Sequence, residues 1–192
     1  MNYASTLEEC RKAATASTYL ALHCHIIFGT KGRVPLIDPD WKNHLYAYMA
    51  GILQEMEVVP ESIGGTADHT HILAGFRATH AIADIVHELK RGSSAWVHTG
   101  LNHSKFAWQT GYAALTVSPS QTEAVKLYIE SQEEHHRHRS FQEEYRELLE
   151  KVDLLHPFQV RRFRNKPRPV VRGKRAAIHR LISRTASRWA HT

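Results

Sequence analysis

The run Ala67-Asp68-His69-Thr70-His71-Ile72-Leu73-Ala74-Gly75-Phe76 settles what the rest of the chain has to be built around: it is short and apolar, with two histidines near its start. In an extended strand successive side chains alternate faces, so His69 and His71 share one face while Thr70 and Ile72 share the other. Two imidazoles on one face make half of a metal site. A divalent ion needs at least one more ligand and a reacting group beside it. The same spacing arises in a strand that merely carries two polar outward residues, and a chain with 15 histidines produces it readily by chance. The question is therefore what else the chain brings over that face.

Just upstream, Gly64-Gly65 reads as a turn and residues 58–63 as a partner strand. Residues 19–28 read as a buried strand with Leu20, Leu22, Cys24, Ile26 and Phe28 on one face. This strand holds a rival pair, His23 and His25, read as mainly structural because no acidic or glycine-rich neighbourhood opens it to a ligand. The loop over 29–35 centres on Lys31 and Arg33, either plain solvated charge or an anion contact. Asp38-Pro39 is an N-cap with proline at the first helical position, followed at helical spacing by Trp41, Leu45, Tyr48, Met49, Ile52, Leu53 and Met56.

Downstream, Thr79 is the expected cap of a helix whose apolar stripe is Ile82, Ile85, Val86, Leu89, Trp96 and Val97. Gly92 interrupts it at Lys90-Arg91-Gly92-Ser93-Ser94, where backbone amides and two hydroxyls are able to approach an anion beside two cations; a plain helix kink explains the glycine as well. Residues 106–117 read as a fourth strand with a bulge at Gly111. Ser120-Gln121-Thr122-Glu123 is a capping box opening a helix to about Arg139, and a charged helix over 141–151 follows. The order strand, helix, strand, strand, helix, strand predicts an α+β, ferredoxin-like βαββαβ fold. It has one antiparallel sheet with helices on one face and an extra C-terminal helix.

Charge divides the chain. Of its 25 Lys and Arg residues, eleven lie from Pro157 onward, where there is no acid; the other 14 face all 19 acids, so a body of about −5 carries a tail of +11. The expected organisation is an N-terminal extension over 1–17, one domain over 18–156 and a basic tail over 157–192. The tail is either an irregular extension or a basic amphipathic helix. Two cysteines, Cys10 and Cys24, permit no disulfide framework and fit a reducing compartment. No apolar run reaches membrane-spanning length and the first residues lack the pattern of a signal peptide, so a cytoplasmic location without membrane contact is expected. There is no glycine-rich phosphate loop ending in Lys-Ser or Lys-Thr, and ATP-driven chemistry has no visible site.

The extra helix carries Tyr128-Ile129-Glu130-Ser131-Gln132. Positions four apart are roughly 40° apart around a helix axis, so the Tyr128 phenol and the Gln132 amide share a face while Val125 and Ile129 pack the helix down. That face offers a tyrosine nucleophile beside a ligating carbonyl; a half-buried aromatic next to a surface glutamine is the plainer reading.

From about Thr18 to Tyr145 the chain resembles the HUH-type transposases with a single catalytic tyrosine, which serve the smallest bacterial insertion sequences and include the REP-associated tyrosine transposases. The resemblance runs through Tyr19-Leu20, His25-Ile26-Ile27-Phe28-Gly29-Thr30-Lys31, Asp68-His69-Thr70-His71-Ile72-Leu73, Leu89-Lys90-Arg91-Gly92-Ser93-Ser94, Trp108-Gln109-Thr110-Gly111-Tyr112 and Tyr128-Ile129 with Gln132. Each motif is weak alone; their order and spacing together are specific. Thr70 relaxes the family pattern of histidine, bulky hydrophobe, histidine, but it points away from the imidazoles.

The resemblance implies His69, His71 and Gln132 as ligands of Mg²⁺ or Mn²⁺ and Tyr128 as nucleophile, giving a 5′-phosphotyrosine and a free 3′-hydroxyl that later rejoin. It implies a homodimer acting on single-stranded DNA at hairpin-flanked sites, with Lys31, Arg33, Lys90, Arg91, Ser93 and Ser94 as candidate DNA contacts. His136, four residues beyond Gln132, competes as third ligand, and the tail has no counterpart in the family. Rival readings are a metal-dependent hydrolase and a non-catalytic hairpin-binding descendant of such a transposase. The first lacks the chain length of a barrel and the Asp-His that a metallo-β-lactamase-like site places soon after His71.

Overall fold

A computed structural model describes residues 19–135 together with 143, 146 and 147. The expected extension over 1–17, the basic tail, His136 and Tyr145 lie outside the described residues, as does most of the helix expected over 141–151. Within them, β1 (Leu22–Gly29), α1 (Pro39–Glu55), β2 (Val59–Thr66), β3 (His69–Phe76), α2 (Ile82–Gly100) and β4 (Ala113–Val117) form the βαββαβ frame. α3 (Thr122–Glu130) and the short α4 (Gln132–His135) follow. The sheet order is β2-β3-β1-β4 with every neighbouring pair antiparallel. This is the order produced when β3 inserts between the two strands that α1 connects.

Strand alternation sorts the two faces. Cys24, Ile26 and Phe28 of β1 and Ile72 and Ala74 of β3 are buried beneath α1 and α2, against Leu45, Met49, Ile52, Leu53, Ile85, Val86 and Leu89. The intervening residues, His23, His25 and Ile27 of β1 and His69, His71 and Leu73 of β3, point to the opposite face, over which α3 packs on β2 and β3. α1 begins as its sequence dictates, with the Asp38 carboxylate accepting from the Asp40 amide at 2.9 Å and Pro39 at the first position.

Several local expectations give way to tertiary packing. Gly64 and Gly65 lie inside β2, and the turn falls at Ala67-Asp68. Both glycines are there for close approach: a Cβ on Gly64 would lie 2.4 Å from the Ile129 carbonyl oxygen, and one on Gly65, at φ 150°, 2.2 Å from that of His69. α2 starts at Ile82 after Ala81, so Thr79 is not its cap. Nor does Gly92 interrupt α2. It lets α2 press onto α1, where a Cβ would meet Ile52 Cδ1 at 2.7 Å.

The fourth strand is shorter than alternation suggested. β4 pairs with β1 as far as Ile27 opposite Ala113; the two remaining residues of β1, Phe28 and Gly29, are then spanned by four, residues 109–112, before the bridge of Thr30 with Trp108. The aromatic rings explain the excess. Trp108 packs edge-on against Phe28 and Phe106, each at 4.9 Å between centroids, and this draws residues 106–108 toward the core and forces residues 109–112 to bulge.

The capping box before α3 does not form. Pro119–Gln121 takes a 3₁₀ turn, Gln121 caps without a side-chain bond, and the Ser120 hydroxyl bonds that of Ser118 at 3.1 Å. α3 also ends at Glu130 instead of running on. The Ser131 hydroxyl donates back to the carbonyls of Leu127, at 2.8 Å, and Tyr128, at 3.2 Å, competing with helix propagation at the break.

Candidate active site

β3 carries His69 and His71 side by side on the face under α3, both fully buried, with ring centroids 5.0 Å apart. Gly64, paired with His71 across the β2–β3 ladder, lacks the side chain that would hold α3 away. Ile129, 1% exposed, fills that space, and one residue earlier the half-buried Tyr128 lies edge-on to His71, with ring centroids 5.8 Å apart. The break at Ser131 then turns the chain so that Gln132, also 1% exposed, points inward with Oε1 3.4 Å from His69 Nε2. The four residues expected to carry the chemistry are thus adjacent in space. Gln132 reaches its position through the break rather than along one continuous helix.

Each histidine is oriented through Nδ1. His69 Nδ1 donates to Asp68 Oδ1 at 2.7 Å, and the Thr66 hydroxyl donates to the same oxygen at 2.9 Å. Arg33 donates to Asp68 Oδ2 through Nη2 at 2.8 Å and Nε at 3.2 Å. Partial burial pushes the Asp68 carboxyl pKa up, but the hydrogen bonds from His69, Arg33 and Thr66 outweigh it and hold the group well below the usual carboxylate range. Asp68 is therefore a fixed anion, and the dyad leaves Nε2 as the His69 nitrogen facing Gln132.

His71 Nδ1 lies 2.9 Å from His25 Nε2. His25, read as mainly structural, therefore belongs to the site; it is 3% exposed and edge-on to the Tyr128 ring at 6.1 Å. Burial pushes its pKa down to about 4, so it is neutral at pH 7. His23 stays apart from this cluster, with Nδ1 2.5 Å from Glu61 Oε1. Sequence reasoning missed His25, Asp68 and Thr66 as site residues. The parity of His25 was legible, but which strand it faced depends on the register of β1 on β3.

Among the described residues no three His, Cys, Asp or Glu side chains are grouped to hold a metal ion, and the donor of another kind that lies beside the histidine pair there is the Gln132 carboxamide. The donor chemistry fits. Two imidazole nitrogens and a carboxamide oxygen suit Mn²⁺, or Mg²⁺ with further oxygens. The 3.4 Å between Gln132 Oε1 and His69 Nε2 is near the roughly 3 Å between adjacent donors of an octahedral ion.

The candidate anion contacts fare unevenly. Lys31 is exposed and Ser94 half-buried, while Arg91 is exposed and paired with Glu88 at 2.6 Å. Arg33 is committed to Asp68. Lys90 donates to the carbonyls of Gln109, at 3.0 Å, and Gly111, at 2.7 Å, and burial pushes its pKa down to about 8. Ser93 is a correction: fully buried, it donates to Leu89 O at 2.5 Å and accepts from Trp108 Nε1 at 2.8 Å. Its hydroxyl ties the 106–112 segment to α2 and has no path to a phosphate.

The family model for IS200-like transposases matches residues 18–132. A crystal structure of a protein from Deinococcus radiodurans R1, described as a candidate transposase, is similar at 25% identity and a TM-score of 0.50, covering 60% of this chain and 93% of that one. The structure of a REP-associated tyrosine transposase bound to a REP hairpin is 11% identical with a TM-score of 0.49, covering 62% of this chain and 71% of that one. No curated protein matches this chain.

Proposed function

Because the chain belongs to the IS200-like transposase family, we propose that it is a metal-dependent single-stranded DNA transposase that cleaves and rejoins hairpin-flanked sites through Tyr128. The observation that carries this reading is the convergence, from three separate elements, of His69 Nε2, Gln132 Oε1 and the Tyr128 ring beside His71. His69, His71 and Gln132 would hold Mg²⁺ or Mn²⁺. When bound, the cation offsets charge on the non-bridging oxygens of the scissile phosphate.

The chain's own residues do the rest. A phenol of pKa about 10 is a weak nucleophile at neutral pH, so it gains from being held in place. The ring edges of His25 and His71 and the packing of Ile129 hold it. Tyr128 Oη attacks phosphorus, the bond to the 3′ oxygen breaks, and the phenolic proton ends on the departing 3′-hydroxyl. The phosphoester energy is kept in the 5′-phosphotyrosine. Attack by a 3′-hydroxyl reverses the step, so strand transfer needs no nucleotide triphosphate. Lys31, Arg91 and Ser94 remain candidate phosphate contacts, and a homodimer is the proposed assembly.

The direct test is incubation of the full-length protein with Mg²⁺ and single-stranded oligonucleotides from the flanks of its gene, followed by denaturing electrophoresis. A protein–DNA adduct is expected. Tight hairpin binding without any adduct would instead favour the non-catalytic descendant.

Gly64→Ala, which sets a methyl group against the Ile129 carbonyl, tests how closely α3 must lie on the sheet. Stability should fall by about 1–3 kcal/mol, measured by denaturant melts. Adduct formation should fall roughly 100-fold while DNA binding persists, because a 1 Å shift of Tyr128 spoils the attack geometry. The basic tail is proposed to meet DNA nonspecifically. Ending the chain after Leu155 should flatten the salt dependence of single-strand binding by about 0.7 in log–log slope for each phosphate that the tail neutralises; an unchanged slope would make the tail a passenger.

A further inference from the structure

We propose that His25 is a positioning residue that fixes the tautomer and ring angle of His71, so that His71 presents Nε2 to the metal; this rests on the metal reading above. The two histidines lie on adjacent antiparallel strands, with Ile27 opposite His71 and Leu73 opposite His25, so their contact is diagonal across the ladder. At 2.9 Å between His25 Nε2 and His71 Nδ1, only one of the two nitrogens carries the shared proton. If it lies on His71 Nδ1, the buried His71 Nε2 keeps its lone pair and acts as a ligand. His25 Nε2 must then be the acceptor.

Several features hold His25 in that part. It is 3% exposed, flanked in register by Leu73 and Leu115 and bounded by the Tyr128 ring. The arrangement parallels the other ligand, where Asp68 takes the Nδ1 proton of His69. A carboxylate orients one imidazole and a second imidazole the other. A metal-ligating histidine is commonly fixed in this way by a partner on its second nitrogen. Because His25 also meets the Tyr128 ring, it couples the position of the nucleophile to that of the ligand.

The test uses the full chain, Mn²⁺ as probe and three proteins: the parent, His25→Phe and His25→Gln. Calorimetric titration should show Mn²⁺ affinity about 10–100-fold weaker in His25→Phe. In His25→Gln, whose amide oxygen replaces the acceptor, most of it should return. Long-range proton–nitrogen NMR of the metal-free parent should place the His71 proton on Nδ1, a readout that depends on neither activity nor a variant that folds. Equal Mn²⁺ affinity in the parent and His25→Phe, or a His71 proton on Nε2 in a parent that binds Mn²⁺ normally, would overturn the role of His25 alone. A parent that takes up no Mn²⁺ would overturn the metal reading beneath it.

Discussion

Tyr128→Phe is expected to eliminate covalent capture of DNA while leaving fold, Mn²⁺ binding and DNA binding intact. The substitution removes one oxygen from a half-buried side chain whose ring stands edge-on to His71 at 5.8 Å and to His25 at 6.1 Å. Those ring contacts survive in phenylalanine, so stability should change by less than about 1 kcal/mol. Chemistry has no substitute: without Oη there is no atom to take the phosphoryl group, and the adduct should fall to zero rather than merely slow. Tyr112 is the internal control. It lies beneath the Lys90 ammonium, 5.7 Å from nitrogen to ring centroid, on the segment that precedes β4. Tyr112→Phe should therefore form the adduct at the parental level. An adduct persisting in Tyr128→Phe, or absent from Tyr112→Phe with folding intact, would show that the nucleophile lies elsewhere.

The second large effect is expected from replacing both His69 and His71 by alanine. Parent protein should bind Mn²⁺, and its melting temperature should rise with added metal, since a ligand at 100 times its Kd stabilises the native state by about 2.7 kcal/mol. The double variant should show neither that rise nor any metal-dependent cleavage. Both rings are fully buried, so the variant also starts less stable, by a few kcal/mol for the missing packing. It should still unfold cooperatively. The other face of β3, with Ile72 and Ala74, remains packed beneath α1 and α2, and Asp68 keeps Arg33 and Thr66 as partners. A melting shift of parental size in the double variant would place the ion elsewhere and sink the ligand assignment.

Both expectations depend on how α3 reaches the histidines. A helix lies close on a sheet only where the strand beneath it gives room. β2 gives that room at Gly64, against the Ile129 carbonyl. Gly65 allows the same strand to turn tightly into β3, which places Asp68 next to His69. Two glycines that read as a turn from composition are thus what seats Tyr128 over the sheet and starts the network around His69.

The sequence by itself determined the element order, the two faces of β1 and of β3, the Asp38-Pro39 start of α1 and the family to which these motifs point. These properties are local or periodic, and period-2 and period-3.6 patterns are written along the chain. Only the tertiary structure decided neighbours. Alternation says that His25 faces away from the α1–α2 core but not that it meets His71, because that follows from the register of β1 on β3, which brings together residues 46 apart. Burial likewise decided Ser93, which looks like an anion contact beside Lys90 and Arg91 until Trp108, fifteen residues on, donates to its hydroxyl. The break at Ser131 cannot be read from helix propensity alone, since a serine's side-chain bond back to Leu127 competes only weakly with helix continuation. It is the turn at that break that accompanies Gln132 to its place beside His69, and the contact between them spans 63 residues of chain.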